Sequence, residues 1–111
     1  MAYLCQVKSS KDKILNLIRE YVSQIDPEAE IILYGSRARG DERVDSDWDI
    51  LILINDKATF ERERAFRHHL YDLELSIGEA FSVFVFNKLD WNTRYKVTNF
   101  YQNVVNEGLT V

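Results

Sequence analysis

Residues 48–54 read W-D-I-L-I-L-I, an almost unbroken apolar run rich in β-branched side chains. It is far shorter than the ~20 residues a membrane helix needs. A strand with so little alternation is buried on both faces, so the run predicts the interior of a sheet covered on both sides. Its neighbours follow from that. Residues 59–77 place Phe66, Leu70, Leu73 and Ile77 at helical spacing, with Gly78 set to end the helix. F-S-V-F-V-F at residues 81–86 is a further strand. A strand–helix–strand unit of this length permits parallel pairing. Upstream, residues 9–25 carry the stripe Ile14, Leu17, Ile18, Tyr21, Val22 and Ile25, with Ser9 or Ser10 as cap, Asp12 in the first turn and Pro27 beyond the end. Residues 31–34 form a short strand stopped by Gly35. Asn87 caps a C-terminal helical region with a break near Thr98-Asn99 and an end at Gly108. The expected class is α/β (α+β): a mixed three-strand core sheet with flanking helices.

A chain of 111 residues suits one domain, expected over residues 1–111. Its net charge of −4 argues against a general nucleic-acid binder, which would show a basic face. The lone Cys5 has no intrachain disulfide partner. No stretch reads as a membrane span or a secretory signal, and a cytoplasmic protein is the expectation.

The chemistry concentrates in residues 34–50, Y-G-S-R-A-R-G-D-E-R-V-D-S-D-W-D-I. Asp47 and Asp49 flank Trp48 at the mouth of the central strand, where alternation points both carboxylates to one face. Like charges that close repel, and a hard cation such as Mg²⁺ relieves them. Gly35 lets the chain turn and approach a ligand closely, and Ser36 opens a short helix whose free N–H groups suit a phosphate oxygen. Arg37, Arg39 and Arg43 lie in the same stretch of an acidic chain. Each piece alone has an ordinary explanation: a solvated strand end, a capped turn, surface ion pairs with Asp41, Glu42 and Asp45. Together they supply phosphate donors and metal ligands, the two needs of a nucleotide–Mg²⁺ site.

The G-S-R-A-R-G…S-D-W-D-I segment resembles the GS-x10-D-x-D signature of the nucleotidyltransferases related to DNA polymerase beta. The short chain is similar to their minimal nucleotidyltransferase (MNT) group, and the closing F-Y-Q-N-V-V-N-E-G resembles the end of many small members. The resemblance implies a small nucleotidyltransferase fold. Gly35, Ser36 and Arg39 would bind the nucleotide; Asp47 and Asp49 would be catalytic and ligate Mg²⁺. AMP would pass from ATP to a protein or small-molecule hydroxyl. The alternative it implies is an antitoxin-like subunit, paired with a HEPN-domain protein or a second copy. Antibiotic-modifying relatives carry an extra helical domain for which this chain has no room, and a polymerase role lacks a thumb and a basic surface.

One departure stands out. The family takes a third carboxylate from the next core strand, where this chain has Ser82; Glu79, Asp72 and Glu74 are the acids nearby in sequence. His68-His69 point about 100° apart on a helix and make a poor metal pair. Trp48, Trp91, Tyr95, Phe100 and Tyr101 exceed what three strands must bury, which assigns most to the core and leaves some for a partner surface.

Overall fold

The computed structural model describes residues 10–111. Readings of Cys5 and Ser9 lie outside the described residues. Helix α1 (Ser10–Ile25) leads into strand β1 (Glu30–Tyr34), the short helix α2 (Ser36–Arg39) and strand β2 (Trp48–Ile54). Helix α3 (Phe60–Ile77) then crosses to strand β3 (Phe81–Asn87). Helix α4 (Lys88–Thr93), a 3-10 turn (Arg94–Val97), helix α5 (Asn99–Glu107) and strand β4 (Leu109–Thr110) complete the described chain.

The strands form one mixed sheet in the order β3-β2-β1-β4. β2 runs parallel to β3 and antiparallel to β1, as the crossover length allows. β2 is central and, apart from Asp49, buried along its length. Its alternate residues feed two cores. Trp48, Ile50, Ile52 and Ile54 pack with Ile18 and Val22 of α1 and Phe66, Leu70 and Leu73 of α3. Leu51 and Leu53 pack on the opposite face with Trp91 and Val104 from α4 and α5.

Local chemistry sets the element ends. Thr59 Oγ1 accepts the Arg62 N–H at 3.2 Å and starts α3. Gly78, with φ of 73°, ends it in the left-handed conformation. Asn87 and Thr98 cap α4 and α5, so the break expected near Thr98-Asn99 is present.

One expectation needs correction. The sheet has four strands among the described residues, because Leu109 and Thr110 pair with Leu33 and Ile32. A strand two residues long has no periodicity to read. Most of the aromatics go to the core, as expected: Trp48 and Trp91 are only 2% and 3% exposed. Tyr95, Phe100 and Tyr101 pack onto the second core with Phe86, and Trp91 meets Phe100 at 5.4 Å edge to face. The second face of the sheet, covered by short helices, takes the rings that a one-sided core would have left outside. The large exposed apolar side chains include Tyr71 and Leu75 on α3 and Phe84 on β3, whose ring meets Phe100 at 5.5 Å.

Candidate functional site

The site forms where β1 ends and β2 and β3 begin. Antiparallel register puts Tyr34 opposite Asp49, and parallel register puts Asp49 beside Ser82. The three residues make one row across the sheet on the face that α5 covers. Directly after Tyr34 the chain turns at Gly35, with φ of 76° and ψ of −158°, and α2 begins. A side chain at Gly35 would overlap Asp49 Oδ2 and lie 3.0 Å from Asp49 Cγ. The turn therefore lies flat against the Asp49 carboxylate, an approach that only a residue without Cβ permits.

Helix α2 has no side-chain cap at its N-terminus. Its first N–H groups, those of Ser36 and Arg37, have no intrahelical acceptors. The Gly35 N–H is taken: it donates to Glu107 Oε1 at 3.0 Å. Glu107 Oε2 pairs with Arg39 Nη1, also at 3.0 Å, and Arg39 Nε donates to Asp41 at 3.2 Å.

Negative charge accumulates here. Burial, then the neighbouring Asp47 and Glu107, push the Asp49 carboxyl above its ordinary value, while Arg39 pulls it back. Burial, Asp49 and Glu107 push the Tyr34 hydroxyl up to about 12. Across the row, burial and Asp47 raise the Glu74 carboxyl against a lowering hydrogen bond from the Phe81 backbone. Clustered hard oxygen donors whose own repulsion raises a pKa are suited to a divalent cation. Among the described residues no three His, Cys, Asp or Glu side chains are grouped to hold a metal alone. Mg²⁺ typically takes one or two carboxylates and completes its shell with water and substrate phosphate, so an Asp47–Asp49 pair fits it.

A nucleotidyltransferase domain family matches residues 15–106. The chain belongs to that family. Two solved structures resemble this nucleotidyltransferase domain. A toxin–antitoxin crystal structure with AMP-PNP is 22% identical, aligns over 91% of this chain and 71% of its own, and superposes with a TM-score of 0.57. The toxin–antitoxin MntA-HpeT, in a mutant form, is 21% identical over 86% of this chain and 69% of its own, with a TM-score of 0.60. At these identities the likeness establishes a shared fold. No curated protein sequence matches significantly.

The nucleotidyltransferase domain brings Gly35, Ser36 and Arg39 together with Asp49, and sets Asp47 just before β2. Arg37 turns away from this group. Its guanidinium stacks 4.6 Å over the Trp48 ring and donates to the Ser46 carbonyl at 2.8 Å, fastening the loop that leads into β2. Ser82 stands at the third-strand position beside Asp49. Of the nearby acids, Glu74 has the carboxyl raised in part by Asp47, whereas Asp72 is exposed on α3. His69 Nε2 lies 2.6 Å from Gln24 Oε1 and its ring packs on Tyr21, while His68 is exposed; the two do not act as a pair.

Two site residues escaped the sequence reading, Tyr34 and Glu107. Tyr34 looked like one more apolar strand residue. Glu107 carried a faint signal: an acid on the last turn of a helix opposes the helix dipole and asks for another partner.

Proposed function

We propose that this nucleotidyltransferase binds a nucleoside triphosphate with Mg²⁺ and transfers its nucleotidyl group, AMP from ATP, to a hydroxyl on a protein or small molecule, releasing pyrophosphate. The observation that carries the reading is the Gly35 turn pressed against the Asp49 carboxylate, with unpaired helix N–H groups beginning one residue later. Ser36, through its N–H and hydroxyl, would take phosphate oxygens. Gly35 would set the phosphates close to Asp49 by letting the turn lie against that carboxylate, and Arg39 would border them from the end of α2. Asp47 and Asp49 would hold Mg²⁺, which supplies charge neutralisation at the phosphates when bound. The chain itself contributes placement, keeping phosphate donors and carboxylates on adjacent strands. A groove lined by Arg67, Tyr71, Glu74, Phe81, Ser82 and Phe84 runs between α3 and β3, one strand away from Asp49 at Ser82, and would offer the acceptor a path.

A second reading rests on Ser82. With no carboxylate at that place in the row, the chain works as an antitoxin-like subunit, and a HEPN-domain partner or a second copy completes the reaction or is controlled by it. The toxin–antitoxin context of the two similar structures supports this reading, and the AMP-PNP of one supports nucleotide binding.

Titration calorimetry with ATP tests the nucleotide–Mg²⁺ reading, and a transfer assay on the isolated chain tests the subunit reading. Binding is expected with Mg²⁺ and lost in EDTA, and Asp47→Asn or Asp49→Asn should remove it. Equal binding in EDTA refutes the metal bridge. Fast transfer by the isolated chain to a small hydroxyl compound refutes the subunit reading.

A further inference from the structure

Glu107 holds both ends of α2 at once. One carboxylate oxygen accepts the N–H of Gly35, the residue before the helix, and the other pairs with Arg39, its last residue. The support for that carboxylate is stiff. Gly108 closes α5 with its N–H on the Val104 carbonyl at 2.7 Å, and a Cβ at Gly108 would lie 2.7 Å from Ile32 Cγ2. Leu109 then pairs with Leu33, and the Val111 N–H donates to the Ile31 carbonyl at 2.9 Å. The carboxylate is thus delivered from a backbone bonded to β1, the same strand that delivers Gly35. The other acidic partner of Arg39 is weaker, since Asp41 is 62% exposed against 22% for Glu107.

We infer that Glu107 is a positioning residue for nucleotide binding, clamping the phosphate turn at Gly35 and at Arg39 so that the N–H groups of Ser36 and Arg37 hold a fixed direction beside Asp49. The inference rests on the nucleotide reading above. Two polar contacts at opposite ends of a four-residue helix fix its orientation as a unit, which one contact does not. The turn then meets the phosphates already ordered, and the entropy of ordering it is not charged to binding.

The test compares the parent chain with Glu107→Ala, Glu107→Gln and Asp41→Ala. ATP–Mg²⁺ titrations are run well below each melting temperature, and backbone amide exchange is followed in parallel. Glu107→Ala should bind about tenfold or more weakly, as expected when a charge-assisted bond that orders the site is lost. Glu107→Gln keeps an acceptor for Gly35 but loses the charge on Arg39, and should fall between. Asp41→Ala should match the parent within about twofold, as an exposed pair predicts. Amides of residues 35–39 should exchange faster in Glu107→Ala while those of β2 stay protected, which a general loss of stability would not produce. Parent-like or tighter binding by Glu107→Ala overturns the inference; if that variant fails to fold, the near-isosteric Glu107→Gln decides on the same criterion. No ATP binding by the parent refutes the nucleotide reading and the inference with it. Parent binding with unchanged exchange at residues 35–39 refutes the clamp alone.

Discussion

Gly35→Ala separates backbone strain from contact with the carboxylate, because Gly78 offers a matched comparison. Both glycines have positive φ, 76° and 73°. At Gly78, ψ of 25° is ordinary left-handed geometry and a Cβ meets nothing within 4 Å. Alanine there should cost about 1 kcal/mol. At Gly35, ψ of −158° lies in a region that is essentially glycine-only, and a residue forced into it costs roughly 1–3 kcal/mol. The new methyl also overlaps Asp49 Oδ2, so the carboxylate must leave its rotamer, for roughly another 1 kcal/mol. The total is about 2–4 kcal/mol, which for a domain near this size lowers Tm by roughly 10–25 °C, against about 5 °C for Gly78→Ala. Thermal melts followed by circular dichroism give both values. Repeating Gly35→Ala in an Asp49→Ala background should recover about 1 kcal/mol as the coupling between the two positions. If Gly35→Ala costs no more than Gly78→Ala, or the coupling is zero, the close approach of turn and carboxylate does not exist in solution.

In metal-free buffer Asp49→Asn should be more stable than the parent at neutral pH. The native Asp49 pKa is raised, so the parent loses stability as pH climbs from the ordinary aspartate range to the native value. The advantage of the variant should vanish as pH falls back through that window, and a constant advantage in urea titrations across pH contradicts the assignment. Ser82→Asp places a carboxylate directly beside Asp49; it should lower Tm in EDTA through like-charge pairing, and Mg²⁺ should restore most of the loss. Phe66→Ala empties a fully buried position between α3 and the sheet and should cost about 3–5 kcal/mol in urea unfolding, with no preference for the site.

The architecture was legible wherever burial imposes a period. The stripe of residues 9–25, the run at 48–54 and the helix ending at Gly78 all reappear at nearly the expected bounds. The Asn87 cap was legible for the same reason that it works: its side chain binds backbone three residues ahead, so its signal is local; near Thr98-Asn99 only a break was read, and the structure shows Thr98 capping the helix that follows. What failed was non-local. Glu107 reaches Gly35 across 72 residues of sequence, and nothing near either position announces the other. Arg37 was expected to meet phosphate or acids, yet a flat guanidinium beside a tryptophan face has a third choice, and stacking took it. In the second core, Trp91 and Phe100 belong to different helices, and their packing follows from how those helices cross the sheet.

Strand β3 lies at an edge of the sheet, and its sequence F-S-V-F-V-F-N has no charge. Natural edges are usually blunted by lysines, prolines or bulges, because a bare row of peptide groups templates a foreign strand. Here the guard comes from outside the strand: Arg67 on α3, steadied by Glu63, donates to the Val83 carbonyl at 2.9 Å. A single guanidinium thus does the work that edge charges do elsewhere. Arg67→Ala should therefore bare this edge, with sheet-to-sheet aggregation as the expected outcome while the melting temperature barely moves.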